Sequence, residues 1–221
     1  MKFPVFPEGN HPVIQSLSHH SDQALLELFQ QCRDQGQYFT AIFCRYAQLV
    51  YSLVRNVARL PLQADYLFAK TWRHIYHELG ELDLAVHAPA GEDLSLQSWI
   101  LNTTAVAINQ AELPPIETIN YALSTAAPPL WCYLEQALDQ LPAASRLMVI
   151  LAQTFYWTET RIAAYLQAEG EDVSPAVVQA QLQAAYQLLE TSLPPDIQEI
   201  YLRSSYKQTA GNLATGTLEI T

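Results

Sequence analysis

Residues Thr158–Gln167, "TETRIAAYLQ", are followed after a short acidic stretch by Ser174–Glu190, "SPAVVQAQLQAAYQLLE". Each segment opens on a hydroxyl residue, Thr158 or Ser174, suited to accept hydrogen bonds from the orphan amides of a first helical turn. Ile162 and Ala163 in the first segment, and Val178 and Leu182 in the second, mark the faces on which two helices pack. The small Ala163 lets the crossing helix come close. The pattern predicts a helix-turn-helix whose second helix stands in the recognition position. That helix holds no Lys and no Arg, so what it recognises is the question the rest of the chain must answer.

Outward from this pair, Trp131–Gln140 and Ser145–Phe155 read as helices before it, and Pro195–Lys207 as a last helix after it. Residues 208–221 read as a frayed polar tail. Towards the N-terminus, Ser21 caps a helix carrying Leu25, Leu26, Leu28 and Phe29 on one stripe. A longer helix, Tyr38–Arg59, follows Gly36 and ends before Pro61; its polar face carries Arg45, Arg55 and Arg59. Gln63–Leu79 is a third, Ala85–Asp93 a loop, and Leu94–Gln110 a fourth with Trp99, Ile100 and Val106 inward. Leu113–Pro129, with four prolines and no sustained period, reads as a linker. The expectation is an all-α chain: an N-terminal extension (1–20), a helical bundle (21–112), a Pro-rich linker (113–130), a helix-turn-helix bundle (131–207) and a tail (208–221).

Composition narrows the function. Half of the 221 residues are hydrophobic and 15% are charged, which suits a folded core rather than a disordered chain. Cys32, Cys44 and Cys132 are odd in number and scattered, giving neither a disulfide framework nor a zinc spacing. The start of the chain, broken by Pro4, Pro7 and Pro12, carries no signal-peptide core, and no apolar run reaches the ~18–20 residues of a membrane span. A cytoplasmic, membrane-free protein is expected. The net charge is −11 and is unevenly spread. Arg33–Arg73 holds six basic and two acidic residues, His74–Ser145 nine acidic and no Lys or Arg, and Arg146–Arg203 three basic against seven acidic. Phosphate neutralisation by Lys and Arg supplies most nucleic-acid affinity, so only the first of these segments attracts DNA.

"LPAASRLMVILAQTFYWTETRIAAYL" (141–166) with "SPAVVQAQLQAAYQLLE" (174–190) resembles the promoter-reading domain of bacterial sigma factors of the small, extracytoplasmic-function kind. "DQALLELFQQCRDQGQYFTAIFCRYAQLVYSLVRNVARLPLQADYLFAKTWRHIYHEL" (22–79) resembles that family's polymerase-binding helices, and "LQSWILNTTAVAINQ" (96–110) the helix that follows them. The resemblance covers roughly residues 21–110 and 131–192, in the family's order. It implies RNA polymerase core or a transcription regulator as partner, promoter DNA as a weaker one, and no cofactor, small-molecule substrate or catalysis. The polymerase- or partner-binding candidates are Asp65, Tyr66, Ala69 and Lys70, which stand in the family's docking helix, and the cations Arg55, Arg59 and Arg73, whose alternative reading is an ordinary polar bundle face; the candidate DNA contacts are Thr158, Arg161, Ser174, Gln179, Gln181 and Gln183.

The chain departs from the family in three places. In "DYLFAKTW" (65–72) Asp65 is kept, while Tyr66, Ala69 and Lys70 replace the family's docking Asp, Gln and Glu. After the Trp99 helix, "AINQAELPPIETIN" stands in place of a basic promoter-melting run. In the recognition position, glutamines replace cations: their amides suit adenine edges but supply no phosphate grip. The turn "QAEGEDVS" adds three acids. The expectation is a sigma-factor-like regulator acting mainly through protein contacts with weakened DNA binding. The alternative is a functional sigma factor directing promoter-specific initiation.

Other groupings read more plainly. His74 and His77 stand one turn apart without a third metal ligand. Glu78, Glu81 and Asp83 lack a nucleophile or Gly-rich loop beside them and read as a solvated acidic surface. Phe155, Tyr156 and Trp157 read as turn-packing core, with an exposed partner patch as the alternative.

Overall fold

The computed structural model describes residues 4–84, 95–123 and 126–203. These are helical, with no strand among them. The expected loop 85–93 and tail 208–221 lie outside the described residues. The chain divides into two compact units: residues 1–132 with 194–221, and residues 133–193.

In the first unit a 3₁₀ turn (Pro7–Asn10) leads into helix α1 (Pro12–Ser16), then α2 (Asp22–Gln31), α3 (Gly36–Val57), α4 (Pro61–Leu79) and α5 (Leu96–Asn109). Helix α3 is the axis: α1, α2, α4 and α5 all pack on it, and α5 also packs on α4. Phe29, Phe39, Phe43, Phe68 and Trp72, from α2, α3 and α4, are essentially fully buried. Their rings meet edge-on, as between Phe43 and Trp72, 5.0 Å apart at 71°, the arrangement the ring quadrupoles favour. Polar side chains close the helix ends. Ser21 accepts from the Ala24 amide, and the Gln30 side-chain amide donates to the Leu79 and Leu82 carbonyls at the end of α4. Arg45, a candidate surface cation by sequence, is a clamp instead. It pairs with Asp22 at 2.7 Å and donates to the carbonyls of Leu17, Ser18 and His20, fixing the turn between α1 and α2.

Three boundaries differ from the sequence reading. The N-terminal extension is packed: Ile14, Leu17 and Glu8 are buried. The expected linker 113–130 belongs to the first unit. Ile119 and Leu130 are buried, Tyr121 lies 5.1 Å from the Trp131 ring and donates to the Ala126 carbonyl, and Gln63 donates to the Pro114 carbonyl. The last helix, expected in the helix-turn-helix bundle to 207, also belongs to the first unit. Asp196 accepts from the Gln37 amide at 2.6 Å, and Ile197 and Ile200 are buried. A carboxylate at the first turn of α3 satisfies an otherwise orphan donor and complements the helix dipole, which outweighs sequence proximity to the second bundle.

Helix α6 (Pro128–Gln140) carries the chain into the second unit, which contains α7 (Ala143–Gln153), α8 (Glu159–Ala168) and α9 (Pro175–Ser192). Helix α9 packs on both α7 and α8. The core here is aliphatic and small, with Met148, Ile162, Ala163, Leu166, Val178 and Leu182 buried.

Candidate functional site

Two faces carry the candidate residues, one in each unit. In the first unit they lie along the end of α3 and along α4. Arg55 donates to the carbonyls of Arg59 at 3.0 Å and Ala58 at 3.4 Å, closing the C-terminus of α3 where a cation is favoured. Asp65, half-buried, accepts a 2.8 Å hydrogen bond from Tyr51. Burial holds its carboxyl above the usual range, against the opposing pull of the Tyr51 hydroxyl and of Arg55. Burial, then the hydrogen bond to Asp65, pushes the Tyr51 hydroxyl up to about 12. Asp65 is thus engaged inward. Ala69 is fully buried, so the expectation that it touches a partner is corrected: on α4 it falls on the side that packs into the core.

A stripe at four-three-four spacing, Tyr66, Lys70, Arg73 and His77, runs along one side of α4, with Lys70 and His77 exposed and Tyr66 and Arg73 half-buried. The Lys70 ammonium stands 5.7 Å from the Tyr66 ring centroid, a cation–π approach. Arg59 is exposed at the corner before α4. His77 belongs to this face, although by sequence it drew notice only as a metal candidate; its spacing from Arg73 was the available signal. Among the described residues no group of three or more His, Cys, Asp or Glu is placed to hold a metal.

In the second unit the predicted helix pair is built as its caps suggest. Thr158 accepts from the Arg161 amide at 3.3 Å and Ser174 from the Val177 amide at 3.4 Å. Their hydroxyl oxygens accept at the starts of α8 and α9, which leaves each exposed O–H free to donate. Helix α8 ends in a Schellman arrangement: the Glu171 amide donates to the Leu166 carbonyl and the Gly170 amide to the Gln167 carbonyl, with Gly170 at φ 95°. That left-handed backbone favours glycine. The turn's acids, Glu169, Glu171 and Asp172, are all exposed.

Along α9, Val178, Leu182, Ala185 and Leu189 face the core. Gln179, Gln181 and Gln183 are all exposed, but they do not share one face. At 100° per residue Gln179 and Gln183 lie on one side with Gln187, and Gln181 about 160–200° away on the other flank, beside the exposed Val177 and Leu188. Arg161 lies with its guanidinium carbon 4.2 Å from the Trp157 ring centroid. Around the α7–α8 turn, Phe155 and Tyr156 are 56% and 80% exposed and Trp157 is half-buried, so none of the three belongs to the core. Tyr156 takes φ 53°, an uncommon backbone for a bulky residue. No helix among the described residues is long and apolar enough to cross a membrane.

Comparison with protein-family models, with curated proteins and with solved structures gave no match.

Proposed function

We propose that this chain is a helix-turn-helix protein of the sigma-factor-like kind, a cytoplasmic transcription regulator that acts mainly through protein contacts and grips DNA weakly. The reading rests first on the resemblance of residues 21–110 and 131–192. The observation that carries its particular form is the outward face of α9: a capped helix in the recognition position that presents glutamines, alanines and aliphatic side chains and no cation. Glutamine amides match adenine edges in the major groove, yet base readout counts only once phosphate contacts have placed the helix. RNA polymerase core or a regulator bound to it is the expected partner, and the Tyr66–Lys70–Arg73–His77 stripe with Arg59 is the face offered to it. The chemistry proposed for both faces is that of contact.

The test mixes the purified chain with core polymerase and a labelled promoter library. Polymerase binding without new promoter-dependent transcripts supports the proposal. Promoter-specific transcripts would make the chain a functional sigma factor, and no binding to polymerase would remove the transcription reading.

A further inference from the structure

The chain leaves the first unit after Cys132 and returns to it at Pro194. The returning strap, residues 194–203, reaches two points far away in sequence. Asp196 Oδ2 accepts from the Gln37 amide at the start of α3, at 2.6 Å, while Ile197 and Ile200 are buried. Tyr201 then places its hydroxyl 3.3 Å from Glu8 Oε1, in the 3₁₀ turn at the other end of the chain.

Glu8 is a carboxyl only 4% exposed, and the groups facing it are unusual for a buried acid. They are the Tyr201 hydroxyl from the strap, the Cys44 thiol from α3 and, further off, the Tyr121 hydroxyl. None of them is a cation. A carboxylate without a positive partner is costly to bury, whereas a neutral carboxyl hydrogen-bonded to a hydroxyl is not. Burial accordingly holds the Glu8 carboxyl above its ordinary range, with its own backbone amide and Tyr201 pulling the other way.

We propose that the strap is a releasable latch on the first unit, and that the protonation of Glu8 under Tyr201 sets how firmly it is closed. With the latch closed, residues 194–203 are bound into the first unit; with it open, Asp196 and Tyr201 leave Gln37 and Glu8. The direction follows from linkage. The closed state binds the Glu8 proton more tightly than the open state. Closure is therefore firmest below the ordinary carboxylate pKa, weakens as pH rises towards the raised value and levels off above it. The latch exists or fails whether or not polymerase is the partner.

Hydrogen exchange of the full-length chain, read at the amides of residues 197–203 and corrected for intrinsic base catalysis, tests it. The wild-type opening constant should rise with pH by up to about tenfold per unit within that window and then level. Glu8→Gln should hold it flat and low. Asp196→Ala should raise it about fivefold at every pH, the loss of one cap, without changing the slope. Tyr201→Phe keeps the ring and removes the hydroxyl, and should loosen the latch should Glu8→Gln not fold. Strap amides that exchange only together with those of α3 would make the segment ordinary core and overturn the proposal. So would a Glu8→Gln protein with the wild-type pH profile, or a Tyr201→Phe protein with unchanged exchange.

Discussion

If missing cations are what keeps α9 from gripping DNA, restoring them should restore affinity by a calculable amount. Gln179, Gln183 and Gln187 are exposed and spaced by one turn, so Arg at all three adds a charged strip without touching the core. Each phosphate neutralised on duplex DNA contributes a slope of ~0.9 to the fall of log affinity with log salt. Three therefore give ~2.7, or an affinity gain of about fortyfold on moving from 200 to 50 mM salt. The wild-type helix should be nearly flat over the same range. Fluorescence anisotropy of a labelled duplex, titrated at four salt concentrations, reads the slope directly. Gln181→Arg is the internal control: on the opposite flank of α9 it should add much less than one phosphate's slope. A triple variant as insensitive to salt as wild type would show that this face does not approach DNA, and the helix-turn-helix assignment would lose its meaning. A wild-type chain that already binds tightly and steeply would refute the electrostatic reasoning itself.

Four further outcomes can be measured. Gly170→Ala forces a left-handed residue at φ 95°, where an added Cβ meets no neighbour; the cost is backbone strain alone, about 1 kcal/mol, seen as a lower urea midpoint for the second unit. Thr104 is fully buried with its hydroxyl unpartnered, so the near-isosteric Thr104→Val should raise stability by about 1 kcal/mol by removing an orphan polar group, read by chemical denaturation. Asp65 has a carboxyl raised mainly by burial, so its contribution to stability is full in acid and is lost as pH rises through its folded value; Asp65→Asn should flatten that part of the profile of midpoint against pH. Lys70→Glu, on the exposed stripe of α4, should slow association with core polymerase and weaken its salt dependence, whereas Gln97→Glu, exposed on α5, should leave both unchanged.

Periodicity made the long helices legible because each carries its own record of which face is buried. Tyr38–Arg59 was the expected span for α3, which runs Gly36–Val57, and Pro175–Thr191 for α9, which runs Pro175–Ser192. The hydroxyl caps at Ser21, Thr158 and Ser174 were equally readable, since a cap and its amide are three residues apart. What sequence could not show were partnerships across long separations. Asp196 binds Gln37 across 159 residues and Tyr201 meets Glu8 across 193. A short acidic, proline-led segment therefore reads as the end of the nearer bundle until the fold shows otherwise. The proline-rich stretch 113–130 misled for a related reason: it has no sustained period, yet it holds a 3₁₀ turn at Ile116–Thr118 and the start of α6, and Ile119 and Leu130 find the core. At the candidate face of α4, Ala69 was singled out only because it stands where the resembled family has a docking glutamine; the packing of α4 on α3 and α5 turns that position inward.

The two constraints on the second unit separate cleanly. Its scaffold is specified by a small set of residues: two hydroxyl caps, Gly170 in its left-handed turn and an aliphatic core. These would serve a DNA-binding unit equally well. Its surface points elsewhere. Residues 133–193 carry seven acids against two arginines. Both arginines are engaged, Arg146 with Asp139 at 3.0 Å and Arg161 on the Trp157 ring. Leu147, Ile150, Phe155, Val177 and Leu188 are meanwhile more than a third exposed. A body of about 60 residues already has little apolar surface to spare for its core, so leaving this much outside weakens its stability unless a partner covers it. Cations repay their exposure by holding phosphates; exposed leucines and phenylalanine repay it only against another apolar surface. On the proposed function, this is the surface the second unit offers to a protein partner, and the helix pair is the frame that displays it.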